Sequence, residues 1–278
     1  MTEFAKRLQS KLPAGMTLPE EFIRTFDWME EQGHAGLITG TSGDKAEDHI
    51  LALYPFDQID DPGASHAFFR YNELPFSFGW SEAVAEADRR VFEFVTTGGD
   101  GSRAALWLDD EGHQRIVHIG SGSGSVWAGI ISDDPLVLLQ LLAIGYNEPC
   151  SDELHEKSAS EATYEYLGVA DAKELNELRA ESDEPDFDYP LSKPPLAFRK
   201  FLESEFGVTV PERASDIISQ PVPKWGETSK DPFLDWVERV NPETTSTEED
   251  EAKQRRIDAA NTVTLRGFIE RIRMMFGR

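Results

Sequence analysis

Apolar side chains at Leu18, Phe22, Phe26 and Met29 recur at three- and four-residue spacing and stop before Gly33, which predicts an amphipathic helix. Ahead of it, Thr17-Leu18-Pro19-Glu20 has the form of a capping box, with Thr17 as N-cap and Glu20 at N3. Short apolar runs follow at 36–39 and 50–54, the second ended by Pro55 and the turn residues Asp60-Asp61-Pro62-Gly63. Between 91 and 131 the pattern changes to strands of about five residues. Val91-Phe92-Glu93-Phe94-Val95, Ala104-Ala105-Leu106-Trp107-Leu108, Arg115-Ile116-Val117-His118-Ile119 and Val126-Trp127-Ala128-Gly129-Ile130-Ile131 are separated by Gly- and Asp-rich turns. Such spacing predicts a meander of antiparallel hairpins. Next, Asp133 or Asp134 caps a helix with Pro135 at its start, running from 136 to 144 and stopped by Gly145.

Beyond Cys150 the texture is different. Residues 151–190 carry thirteen Asp or Glu against Lys157, Lys173 and Arg179, a local net charge of −10. Helical spacing persists in Tyr164, Leu167, Leu175 and Leu178, and residues 181–188 read as a linker. Two further helices are predicted, one over 196–206 ended by Gly207 and one bearing Phe233, Trp236, Val237 and Val240, capped by Asp231 with Pro232 at N1. Residues 241–251 are polar and acidic, without a pattern that demands burial. The last stretch, 253–278, inverts the charge to +5 and has a stripe of Val263, Leu265, Phe268, Ile269, Ile272 and Phe276. That stripe predicts a helix docked on the acidic body of the chain. The organisation expected is an α+β domain over 1–150, an acidic and partly helical connector over 151–190, and a helical extension over 191–278.

Charge narrows the function classes. In 278 residues, 27 basic and 52 acidic side chains leave a net of −25, so DNA, RNA and anionic membranes should repel the chain while basic proteins attract it. An apolar content of 39% and an aromatic content of 10% suffice for a core. No run of eighteen apolar residues predicts a membrane span, and the N-terminus lacks an apolar stretch of signal-peptide type. A single cysteine, Cys150, rules out an internal disulfide framework and fits a reducing compartment, so the cytoplasm is the expected location.

Catalytic patterns are scarce. The six histidines form no HExxH pair, and one cysteine cannot build a zinc ribbon, so no metal or cofactor is expected. Gly120-Ser121-Gly122-Ser123-Gly124 lacks the Lys and the helix that a phosphate loop needs, and it lies between strands, where a nucleophile elbow does not form. The acidic pairs Asp60-Asp61, Asp109-Asp110-Glu111 and Asp133-Asp134 sit at turns and a helix start, where Asp is favoured for local hydrogen bonding. These loops can also face a partner. The chain is not expected to be an enzyme.

The run from Phe92 to Leu108, with its Gly99-Asp100-Gly101 turn, resembles the SUKH superfamily, as do the helix around Phe22 and Leu53-Tyr54-Pro55-Phe56 downstream. The likeness covers roughly 15–148. Asp231-Pro232-Phe233-Leu234-Asp235-Trp236 is similar to a segment in C-terminal extensions of some relatives. What this resemblance implies is an α+β fold, a mixed or antiparallel sheet flanked by helices, with no catalytic residues to carry over. It also implies a bacterial immunity protein that neutralises a cognate toxin by occluding its active site or its access to target; the alternative is an intracellular regulatory adaptor without a toxin partner. On that reading Asp60, Asp61, Asp109, Asp110, Glu111, Asp133 and Asp134, with the aromatic Trp127, are the candidate contacts for a basic toxin domain. Gly99, Asp100 and Gly101 are expected to form a structural turn with positive φ at one glycine.

Overall fold

Seven strands pair antiparallel in the order in which the chain makes them: β1 (Ala35–Thr39), β2 (Glu47–Ala52), β3 (Phe68–Arg70), β4 (Val91–Thr96), β5 (Arg103–Leu108), β6 (Gln114–Ile119) and β7 (Ala128–Ser132). This computed structural model describes residues 1–39, 47–70, 84–181 and 191–240. Eight helices accompany the sheet among those residues: α1 (Glu3–Lys11), α2 (Glu20–Glu31), α3 (Val84–Arg90), α4 (Pro135–Ile144), α5 (Ala159–Leu167), α6 (Ala172–Glu181), α7 (Leu196–Phe206) and α8 (Pro232–Val240). The fold is α+β, as the alternation of turns and short strands implies.

One sheet face packs under α1, α2 and α4 in the larger core. Phe4, Phe22, Phe26, Phe69 and Phe94 are fully buried there. Their rings meet edge to face, with centroids 5.2 Å apart for Phe4 and Phe26, 4.9 Å for Phe26 and Phe69, and 5.0 Å for Phe22 and Phe94. Each such ring contributes roughly 1.5–3 kcal/mol by leaving water. The same core takes in Phe198 and Leu202 of α7 together with Val210, Ile218 and Val222, so residues 198–222 are packed into the body. A second, smaller core forms on the opposite face, where Phe233, Trp236 and Val237 of α8 cover Ala105, Trp107, Val117 and Ile119.

The β7 edge is sealed by the chain itself. Ala128 N donates to Pro223 O, Trp225 N to Val126 O, and Ile130 N to Asp231 Oδ2 at 2.9–3.0 Å. Asp231 also caps α8, its Oδ1 accepting from Phe233 N and Leu234 N. Asp134 caps α4 in the predicted way, accepting from Leu136 N, and Gly145 ends that helix at φ +89°.

Several local expectations need correction. Thr17 does not cap α2: the helix begins at Glu20 behind Pro19, whose extended backbone (ψ 145°) keeps the preceding residues out of it. Thr17 pairs instead with the Gln114 side chain, through its N–H and its C=O, at 2.9 Å each. The capping box lies at Ser158 and Glu161, on α5. Helices α1 and α3 and the short strand β3 carry no strong pattern in the sequence, and β7 begins two residues later than the apolar run at Val126. The linker at 181–188, apart from Glu181 at the end of α6, and the docked helix over 253–278 lie outside the described residues.

Candidate functional site

A bulge in β4 determines what the outer sheet face displays. Glu93 pairs with Ala105 and Val95 with Ala104, a register shift that sends both Phe94 and Val95 into the larger core. An ordinary alternation would place only one of two successive residues inward. As a result Glu93 and Thr96 both face outward beside Arg103, whose Cα partner is Thr96. Cross-strand pairing continues the row: Thr96 with Phe68, Phe68 with Ala52, and Arg70 with Ile50. Helix α8 covers this face only at its β5–β7 end. The β1–β5 end encloses a cavity of about 330 Å³, with Ile38, Ile50 and Phe68 as apolar walls and Arg70, Arg103 and His66 as basic ones.

Glu93 is almost wholly buried and accepts from Arg103 Nη1 with both oxygens, at 3.0 and 2.8 Å. Burial raises its carboxyl above the usual range, against the opposing pull of Arg103 and Arg70. Arg70 is lowered, first by burial and then by the like charge of Arg103.

Below the cavity a polar knot fixes the turn at 98–101. Gly101 has φ +95°, so the positive φ falls on the second glycine of the pair. Asp100 accepts from Ser102 N and Oγ and from Ser121 Oγ at 2.7–2.8 Å. Burial raises the Asp100 carboxyl, but these bonds together hold it below the ordinary range. Glu148 accepts from Gly99 N at 2.8 Å and bonds His66 Nδ1 at 2.6 Å, which lifts the His66 imidazole above its usual value. Buried Cys150 donates weakly to both carboxylates, at 3.7 and 3.8 Å. Burial and the two negative charges push its thiol up, the opposite of what a nucleophile needs. Asp100, Glu148 and Cys150 bring donor atoms within 4.8 Å of one another, as do Asp109, Glu111 and His113. Hydrogen bonding within the turn already occupies both Asp100 oxygens, so the first set acts as a structural tie.

No protein-family model, curated protein or solved structure matches the chain. The site must therefore be read from its own geometry.

The residues expected to meet a partner are placed unevenly. Trp127 does not belong on a binding surface: it is 1% exposed and stacks on His118 with ring centroids 3.8 Å apart. His118 lies between the Trp127 carbonyl and the Thr97 hydroxyl, and burial lowers it to about 3, so it stays neutral. Asp109 closes its own turn by accepting from Glu111 N and His113 N, and it binds Arg115. Asp110 is held by Arg90 and Arg239, Asp133 by Arg115, and Asp61 by Lys193. Glu111 and Asp60 are exposed, and Asp60 lies at the cavity. The acidic turns thus act mainly as internal ties.

Exposed carboxylates gather elsewhere, on the segment from 152 through α5 and α6. Nine acidic residues face three basic ones over 151–181. Lys157, Arg213 and Lys224 pair with Glu165, Glu161 and Asp152. Glu153, Glu156 and Glu174 are exposed and make no ion pair among the described residues. Sequence reasoning noted this charge as a connector without seeing it as a face. It also passed over Arg70, Glu93 and Arg103; the signal available was a lone Glu inside Val91-Phe92-Glu93-Phe94-Val95, which needs a cation once that strand is buried.

Proposed function

We propose that this chain is a SUKH-like protein-binding module that neutralises a basic bacterial toxin domain by covering it. The observation that carries the reading is the unpaired acidic surface around α5 and α6, which includes Glu153, Glu156 and Glu174, on a chain of net charge −25. Such a surface raises the encounter rate with a cationic partner and disfavours nucleic acid. Among the described residues no helix is long and apolar enough to cross a membrane. Asp61, Asp109, Asp110 and Asp133 contribute little, because Arg and Lys side chains of the same molecule already hold them.

The test is association with the protein encoded by the adjacent gene, followed by surface plasmon resonance. Raising salt from about 0.05 to 0.5 M should slow association at least tenfold, because screening shortens to a few ångströms. Glu153→Lys/Glu156→Lys/Glu174→Lys should slow it comparably at low salt. Absence of binding, or binding indifferent to both salt and charge reversal, rejects the proposal.

A further inference from the structure

We propose that the cavity at the β1–β5 end of the outer sheet face binds a small monocarboxylate with a short apolar body. This site is separate from the acidic surface of α5 and α6, and its test uses no protein partner.

Arg70 is the central observation. Most other described arginines hold carboxylates, as Arg24 holds Glu205 and Arg115 holds Asp109 and Asp133, and Arg199 holds the carbonyls of Ala143 and Ile144. Arg70 is partly buried in the cavity wall, yet among the described residues it makes no ion pair or hydrogen bond. Asp48 and Glu93 attract it, but its guanidinium donors meet no acceptor among the described residues. Arg103 stands beside it with only Nη1 engaged by Glu93. The hydroxyl of Thr96, in the same wall, is hidden from water and has no hydrogen-bond partner among the described residues. Rotation about χ1 exchanges that hydroxyl with the methyl group and turns a third donor toward the cavity.

Shape and charge narrow the ligand. A volume of about 330 Å³ is at the lower end of small-molecule pockets, so the occupant is small. Ile38, Ile50 and Phe68 suit an alkyl or aryl body, while the planar guanidinium of Arg70 suits a carboxylate in two-pronged contact. Asp60 on the same lining and the buried Glu93 disfavour a second negative charge, which selects a monocarboxylate over a phosphate dianion.

Isothermal titration of the full chain with hexanoate, benzoate, hexanol and phenyl phosphate tests the assignment. Saturable one-site binding of hexanoate or benzoate is expected, with hexanol and phenyl phosphate weaker by about tenfold or more. Arg70→Gln and Thr96→Val should each weaken the carboxylates while the circular dichroism spectrum is preserved. No saturable carboxylate binding up to about 10 mM, or equal binding by Arg70→Gln, overturns the site. Tighter binding of phenyl phosphate overturns the monocarboxylate assignment.

Discussion

Replacing Arg103 by methionine leaves the Glu93 carboxylate in the β4 wall without its main partner. The Glu93 side chain is 5% exposed and that of Arg103 35% exposed. Removing one member of a fully buried pair costs about 3–5 kcal/mol. Here the cation is partly in water and Arg70 remains nearby, so a loss of about 2–3 kcal/mol at neutral pH is expected. Glu93→Gln leaves Arg103, partly in water, and its neighbour Arg70 with an amide oxygen in place of the carboxylate and should cost about 1 kcal/mol. The double variant should lose less than the sum of the two, the difference being the coupling of the pair. The pH dependence has a definite sign. Burial places the folded Glu93 pKa above its unfolded value, so the folded chain binds the extra proton, and this group's contribution to stability falls as pH rises from the ordinary carboxylate range through the raised value. Loss of Arg103 raises it further, so the deficit of Arg103→Met relative to the parent should shrink between about pH 7 and pH 5. Urea unfolding followed by tryptophan fluorescence reads both effects. A deficit below about 0.5 kcal/mol at pH 7, or one that grows toward pH 5, refutes the reasoning.

Two further outcomes are expected. Gly101→Val should lower stability by about 1–3 kcal/mol through backbone strain alone, since φ is +95° and the added Cβ meets nothing within 4 Å; an unchanged urea midpoint would contradict this. In an NMR titration His66 should ionise above the usual histidine value, while His118 remains neutral down to about pH 3. The His66–Glu148 contribution should be complete below the unfolded histidine pKa and disappear as pH rises through the folded one, and Glu148→Gln should bring His66 back to the ordinary value.

Strands β4 to β6 and helices α4, α7 and α8 were legible because each is bounded by a residue with one strong local preference: Gly101, Asp134 with Pro135, Gly207, Asp231 with Pro232. Helix α1 was missed because Phe4, Ala5 and Leu8 offer only two large apolar side chains, too few to establish a period. The capping box at Thr17 failed for a steric reason, since Pro19 in an extended conformation delays the helix whatever the flanking side chains prefer. The cavity could not be read from the sequence at all. It depends on a bulge that turns Phe94 and Val95 the same way, and a bulge leaves the composition of its strand unchanged. The acidic turns drew attention by their charge, but which carboxylates are already held depends on arginines far away in the chain, such as Arg239 for Asp110.

The strictly sequential order of the seven strands bears on how the chain comes to be folded. Each strand after the first finds one neighbour already made, so no strand waits for a distant segment and each closure spans about twenty residues or fewer. The exception is β7, whose outer side is met only by residues 223–225 and Asp231, nearly a hundred residues later. During synthesis that edge stays open while α5, α6 and α7 emerge, and an open edge is where another nascent chain can pair. Pulse-labelled amide exchange would report it as protection at β5 and β6 preceding that of Ala128 and Ile130. The segment that seals β7 therefore acts as the last step of assembly and as the guard of its most vulnerable border.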